Sequence, residues 1–211
     1  MRFLRYHVLV LICASIWALP PSLSAQAAPA PHEVLRAMAD DALSILTDRE
    51  LSEQSRQHAF RGLLQRCFDI DAVSRFVLGR HWRQTSAEDR QAFKLLFEDY
   101  VVATYAVRLG QLDAKLFQVT GTRQLDRPRE VLVTSEIQPP DAPRLKVDWR
   151  MHDHDGQWQI TDVVIEGVSM VLAQRAEFAS VIRNDGGVGG LIARLEAKTR
   201  HLSERRYAES R

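Results

Sequence analysis

The sequence predicts an α+β domain: a curved antiparallel sheet of about four strands packed against a mainly helical N-terminal half. Three observations carry this. Apolar residues recur at helical spacing from His32 to Leu109. The period then shortens to two, most cleanly over Leu145 to Met151. Asp155-Gly156, a hairpin turn signal, joins that strand to the next. Helices first and antiparallel strands later are the mark of this class.

Residues 1–27 read as an export signal. Arg2 and Arg5 precede an apolar run from Val8 to Leu19, too short for a membrane span. Pro20, Pro21 and Ser22 break the run, and Ala25-Gln26-Ala27 is an A-x-A cleavage site. The mature chain is expected to begin at Ala28 and to work in the periplasm. Cleavage lowers Lys+Arg from 28 to 26 against 27 Asp+Glu, so the net charge moves from +1 to −1. That balance gives no electrostatic footprint for nucleic acid. Cys13 leaves with the signal, and Cys67, without a disulfide partner, is expected as a buried, inert thiol.

After the Pro/Ala leader to Pro31, His32 to Leu46 is a helix with Leu35, Met38, Ala39, Ala42, Leu43 and Leu46 inward. Ser52 to Phe68 follows, with Phe60, Leu63, Leu64 and Cys67 inward. Asp69 or Asp71 caps a short helix, Ala72 to Leu78, and Gly79 ends it. Arg80 to Arg83 leads into the long helix Ser86 to Leu109, opened by the S-x-x-D pair Ser86 and Asp89. Its stripe is Phe93, Leu96, Phe97, Tyr100, Val101 and Thr104, and its opposite face, Arg90, Gln91, Lys94, Glu98 and Asp99, reads as solvent surface.

Four strands follow: Lys115 to Thr122, Glu130 to Ile137, Leu145 to Met151 and Trp158 to Ile165. The prolines at 139, 140 and 143 exclude strand interior between the second and third. In the third, Leu145, Val147, Trp149 and Met151 face one way, with Lys146, Asp148, Arg150 and His152 on the other side. Glu166 to Ser169 is a turn into a helix, Met170 to Arg183. Gly186 to Gly190 is a flexible break, Leu191 to Lys198 a last short helix, and residues 199–211 a charged, frayed tail. Residues 28–198 form a single domain.

Candidate chemistry is thin. His152-Asp153-His154-Asp155 has metal-ligand residue types, but it ends a strand at a hairpin and has no second cluster to converge with it, so no metal is expected. Gly167-Val168-Ser169-Met170-Val171 lies between strand and helix, as a nucleophile elbow does, with Asp185 and His201 following. The second glycine of that motif is Val171, and a parallel sheet is missing. Ser169 is therefore read as a helix cap, and a small lipid esterase using Ser169 is the minor alternative. No cofactor and no enzymatic activity are expected. The apolar residues of the long helix and the sheet point to one interface; patterning alone does not distinguish a solid core there from a core with a void.

The wording of the sequence adds a resemblance. Arg75-Phe76-Val77-Leu78-Gly79-Arg80-His81-Trp82-Arg83, Phe93 to Tyr100 with Thr104-Tyr105, Val147-Asp148-Trp149-Arg150, Asp155 to Ile160, Asp162 to Met170 and Gln174 to Phe178 resemble, in order, the MlaC family, also known as toluene-tolerance proteins. The resemblance runs from about His32 to Leu195. It implies a periplasmic carrier that holds phospholipid acyl chains in an apolar pocket. Such a carrier shuttles lipid between an outer-membrane lipoprotein complex and the MCE subunit of an inner-membrane ABC transporter, maintaining outer-membrane lipid asymmetry. Many members carry Asn-Tyr-Arg where this chain has Ala173-Gln174-Arg175. With Phe76 to Arg80, this resembles the hopanoid-associated subgroup, HpnM, and leaves the ligand as phospholipid, hopanoid or another apolar lipid. The pocket wall implied is Phe76, Leu78, Phe93, Leu96, Phe97, Tyr100, Val101, Tyr105, Val147, Trp149, Val164 and Met170. Arg80, Arg83 and Arg150 are the candidate headgroup contacts.

Overall fold

The computed structural model describes residues 29–109, 117–138 and 143–209. The export signal, the start of the first strand at Lys115 and most of the proline loop lie outside the described residues. Four helices come first: α1 (Pro31–Thr47), α2 (Glu53–Cys67), α3 (Ile70–Leu78) and α4 (Ala87–Leu109). A 3-10 turn, Gly79–Arg83, joins α3 to α4. Then come β1 (Phe117–Gln124), β2 (Glu130–Ile137), β3 (Leu145–His154), β4 (Gln157–Ile165) and β5 (Val168–Ser169), followed by α5 (Met170–Asn184) and α6 (Val188–Glu209). No described helix is long and apolar enough to cross a membrane.

Local chemistry sets these boundaries. Ser52, Asp69 and Ser169 each accept a backbone N–H with a side-chain oxygen and start α2, α3 and α5. Of the two aspartates expected to cap α3, Asp69 does so, accepting from Ala72 N at 2.8 Å. Ser86 Oγ caps α4 through Asp89 N at 3.0 Å. Gly79 ends α3 with φ 54°, a left-handed conformation suited to glycine.

The sheet is an antiparallel meander in chain order, with five strands where the sequence suggests about four. The added strand is β5, in the segment expected to be a plain turn. Glu166 (φ 49°) and Gly167 (φ 81°) make a two-residue hairpin turn, and Val168 and Ser169 pair back onto Ile165 and Val164. Asp155 and Gly156 form the expected turn between β3 and β4. Irregularities at Val119/Gly121 and at Arg150/Met151 interrupt the register and bend the strands.

Two further expectations change. Helix α6 runs to Glu209, well past Lys198, so most of the charged tail is helical. The glycine run is a tight turn: only Gly186 and Gly187 have positive φ, while Gly189 and Gly190 lie inside α6. A Cβ on Gly190 would stand 1.7 Å from the Asp185 carbonyl oxygen, so close backbone approach explains that glycine.

Helix α4 is central. One side of its stripe joins α3, α5 and α6 in a core of Val77, Leu78, Phe93, Tyr100, Phe178, Ile182, Leu191 and Leu195. Its expected solvent face is partly covered by α2. Glu98 is only 7% exposed, receives a hydrogen bond from Gln65 Nε2 at 2.8 Å, and lies 3.9 Å from Arg61, which also pairs with Asp99. Val102, one turn on, is buried against Leu46, Phe60 and Leu64. A period-3.6 pattern assigns polar residues outward; here the neighbouring helix satisfies the buried carboxylate, with the Gln65 amide hydrogen-bonded to it and the Arg61 guanidinium close by.

Candidate functional site

Between α1, α2 and the concave face of the sheet lies a cavity of about 300 Å³, at the small end of the roughly 300–1,000 Å³ usual for ligand sites. Helix α1 contributes Leu35, Met38, Ala39 and Ala42; α2 contributes Phe60, Leu63, Leu64 and Cys67. Phe97, Val101 and Tyr105 of α4 close another side. Val147 and Trp149 of β3 with Ile160, Val163 and Ile165 of β4 form the floor, and Met170, Val171 and Gln174 of α5 complete the wall. Phe68, between α2 and α3, forms a backbone bridge to Ile160, and Asp69 N donates to Ile160 O at 3.0 Å. This staple holds the α2–α3 corner against the sheet.

The cavity stays open because its two opposed surfaces cannot meet. Small residues, Ala39 and Ala42, sit on the α1 stripe where larger ones would fill the gap. The Trp149 ring is fixed by two neighbours. Its indole N–H donates to the buried Ser135 hydroxyl at 2.9 Å, and Phe117 meets it edge-on at 6.4 Å. With the polar tip satisfied, the ring is free to serve as apolar wall.

Polar groups gather at the β4–α5 side. Asp162 is the one charged residue among the described residues of the wall. It is 8% exposed, and accepts from Ser169 Oγ at 2.7 Å and from Val171 N at 3.2 Å. The carboxylate thus sits at the positive end of the α5 dipole. Ser169 Oγ accepts from Leu172 N at 3.1 Å while giving its own proton to Asp162. Among the described residues no histidine is hydrogen-bonded to it. Its geometry is that of a cap, without the serine–histidine pair an esterase needs. His154 Nε2 lies 2.8 Å from Asp69 and its ring meets His152 edge-on at 4.6 Å; among the described residues no group of three metal-ligating side chains converges. Cys67 is 5% exposed, and burial pushes its thiol up to about 11 from the ordinary 9.0, partly offset by Arg66.

Of the side chains expected as pocket wall, Phe97, Val101, Tyr105, Val147, Trp149 and Met170 line this cavity. Phe76, Leu78, Phe93, Leu96, Tyr100 and Val164 do not. The α4 stripe is wide enough to form two ridges. Val101 and Tyr105, with Phe97 one turn before them, reach the cavity; Phe93, Leu96 and Tyr100 turn toward α5 and α6, and Phe97, at the boundary, packs on Phe93 and Phe178 as well. Leu78 is buried in that second core, Phe76 is 40% exposed under Arg175, and Val164 alternates with the wall residues Val163 and Ile165. The candidate headgroup arginines are also outside the wall. Arg80 and Arg83 are in the 3-10 turn, and Arg150, on the other side of β3, lies 3.5 Å from Glu130. The largest omission is the α1–α2 wall. Its stripes are visible in the sequence, and the two alanines among larger residues are the signal that would have marked it.

The family model described as "MlaC protein" matches residues 36–197. The chain belongs to the MlaC family. Over 123 residues it is 27% identical to the intermembrane phospholipid transport system binding protein MlaC of Haemophilus influenzae, a match spanning 57% of each chain. Over 188 residues it is 23% identical to the toluene tolerance protein ttg2D of Pseudomonas putida, covering 87% of this chain and 84% of that one. In structure it is similar to a phospholipid-binding protein from Ralstonia solanacearum, solved in complex with a phospholipid. The TM-score is 0.73 at 22% identity, over 83% of this chain and 99% of that one. That likeness shows that the two chains share the α+β fold described above. These relatives give no support to the hopanoid-associated subgroup, and that expectation is withdrawn.

Proposed function

We propose that this MlaC-family chain is a periplasmic lipid carrier, holding phospholipid acyl chains in the α1–α2–sheet cavity and moving lipid between the outer and inner membranes. The observation that carries this is the cavity itself: an apolar space inside a domain that has enough aromatic bulk elsewhere to fill it. Each buried CH₂ contributes about 0.8 kcal/mol, so an acyl chain gains far more from such a wall than from water. The family match supports the ligand class, and MlaC proteins are periplasmic. In this reading residues 1–27 are the export signal and residues 28–198 the lipid-binding domain. The partners are an outer-membrane lipoprotein complex and the MCE subunit of an inner-membrane ABC transporter. The work is binding and release, without covalent chemistry.

The test is mass spectrometry of lipid extracted from the purified mature protein. Near-stoichiometric phospholipid is the expected result. Reproducible absence of lipid, even after incubation with phospholipid vesicles, would overturn the proposal. Ser169→Ala adds a control: a carrier keeps its lipid and its transfer activity, whereas an esterase loses all turnover.

A further inference from the structure

Three of the four large apolar side chains exposed among the described residues, Phe76, Val168 and Leu172, belong to the segments that meet at the α3–α5 corner; the fourth, Leu95, is on α4. The corner is also basic. The Arg175 guanidinium lies over the Phe76 ring at 4.9 Å and against Gly79, where an added Cβ would touch it at 2.9 Å. Arg75 and Arg90 both lie over Trp82, at 5.8 and 5.3 Å, while Arg80 and Arg83 stand exposed in the intervening 3-10 turn.

Among the described residues none of these five arginines has an ion-pair partner. Of the acidic residues nearest in sequence, Asp71 pairs with Lys94, Glu177 lies 3.6 Å from Lys198 and Asp89 accepts from Ser86 Oγ at 2.9 Å, which leaves Glu88, exposed in the first turn of α4, facing five arginines. Positive charge is therefore in excess around exposed apolar side chains, on a mature chain whose sequence carries no net positive charge once the signal is removed.

This corner is continuous with the cavity. Ile70 and Val73 of α3 line the cavity, and Phe76 is one turn further along the same helix. On α5, Gln174 lines it and Arg175 is the next residue.

We propose that this corner docks on the surface of an anionic phospholipid bilayer, with Phe76, Val168 and Leu172 entering the interface and Arg75, Arg80, Arg83 and Arg175 meeting lipid phosphates. Basic residues around isolated apolar side chains suit a fluid, negatively charged surface. A protein partner of fixed shape would need a contiguous complementary patch. The proposal rests on the carrier reading, since docking there places the α3–α5 wall of the cavity next to the lipid to be loaded or released.

The experiment is co-sedimentation of the full mature chain with vesicles of phosphatidylcholine alone or with one third phosphatidylglycerol. The chain is expected to bind the anionic vesicles, less so as salt rises, and to leave the neutral ones mostly free. At roughly fivefold per basic residue, the Arg75→Gln, Arg80→Gln, Arg83→Gln variant should bind on the order of a hundredfold more weakly. Lysine at the same three positions should restore most of the binding, and Leu172→Asp should weaken it without any change in arginine content. Equal binding to both vesicle types, binding to neither, or a glutamine variant that binds like the parent would overturn the docking face; the second of these outcomes would point to a protein partner.

Lipid extracted from the same preparations separates the two claims. Retained phospholipid with lost vesicle binding is the expected pair for the glutamine variant. Loss of both together would overturn a docking role distinct from the cavity. A parent chain that binds anionic vesicles but yields no phospholipid would fail the carrier reading while supporting the docking face.

Discussion

Two apolar regions lie on either side of α4, and they are built differently. Toward α5 and α6, the rings of Phe93, Phe97 and Phe178 interlock, with centroids 5.8–6.0 Å apart, one pair stacked and two edge-on. Tyr100 is locked from outside by Lys198, whose ammonium lies over the ring at 4.9 Å and donates to the hydroxyl at 3.3 Å. Toward α1, α2 and the sheet, aliphatic residues and two alanines face Trp149 across an open space. Both regions would read as hydrophobic core in composition. Large planar rings that fit one another make a filled region; small residues opposite a fixed indole make a hollow one. The filled half holds α4 rigidly enough for its other ridge to form a wall over empty space.

The sharpest break of that contrast is truncation on each side. Phe178 is 2% exposed and touches both other rings, so Phe178→Ala should cost about 3–5 kcal/mol in urea unfolding of lipid-free protein. Leu63 already faces the hollow, so Leu63→Ala adds less new void and should cost about 2 kcal/mol. The like-for-like check is Leu191→Ala in the filled half, where the side chain is 1% exposed: it should cost about 4 kcal/mol, and a cost equal to that of Leu63→Ala would mean that the two regions are packed alike.

Cys67 reports on the hollow side alone. With its thiol raised from 9.0 to about 11, the folded protein carries about a hundredfold less thiolate near pH 8 than an ordinary cysteine. Alkylation of lipid-free protein by a small apolar maleimide should therefore be slow, speeding about tenfold per pH unit up to about pH 11 and slowing further when lipid is loaded. The sign for stability follows. The folded state favours the neutral thiol, so this contribution is complete below pH 9 and is lost as pH rises through about 11. Alkylation as fast as in the urea-unfolded chain would place Cys67 outside a protected wall.

How much of this was legible depends on which physical signal each part carries. Helices α1 to α4 and strands β2 to β4 are marked by period and by caps such as Ser52 and Ser86, and they form close to where those marks predict. The division of the α4 stripe is not marked, because Phe93 and Phe97 have the same chemistry, share one ring cluster and differ in that Phe97 alone also reaches the cavity. Glu98 is invisible as a buried residue for a related reason: its compensation by Arg61 and Gln65 comes from another helix. Strand β5 was hidden in Glu166-Gly167, which signals a turn without saying that the chain pairs on leaving it. The six expected residues that line the cavity, on α4, β3 and α5, came with the family resemblance; the α1–α2 wall was in the pattern and needed only attention to Ala39 and Ala42.

The glycines that seat α6 on the filled half offer a finer comparison. Gly189 and Gly190 are neighbours in one helix, yet a Cβ on Gly190 would collide with Asp185 O while one on Gly189 meets nothing within 4 Å. Gly190→Ala should destabilise by about 1–3 kcal/mol through displacement of backbone in the turn. Gly189→Ala should stabilise by about 0.8 kcal/mol through helix propensity. Thermal melts of the two variants should shift in opposite directions; shifts of the same sign would mean that α6 starts elsewhere.

The smallest expected change in stability is the one most specific to the hollow. Ala42 lies on α1 with its side chain on the cavity, so in Ala42→Phe the added ring has space to enter. Overpacking a filled core costs about 1–3 kcal/mol, but filling an existing void gains apolar contact at about 25 cal/mol per Å² and displaces no wall. The unfolding free energy of lipid-free Ala42→Phe should therefore stay within about 1 kcal/mol of the parent, while the phospholipid recovered with it falls several-fold because ring and acyl chain compete for one space. A large loss of stability would show that the α1 face is packed as tightly as the ring cluster. Unchanged stability with full lipid content would place the acyl chains somewhere other than between α1 and the sheet.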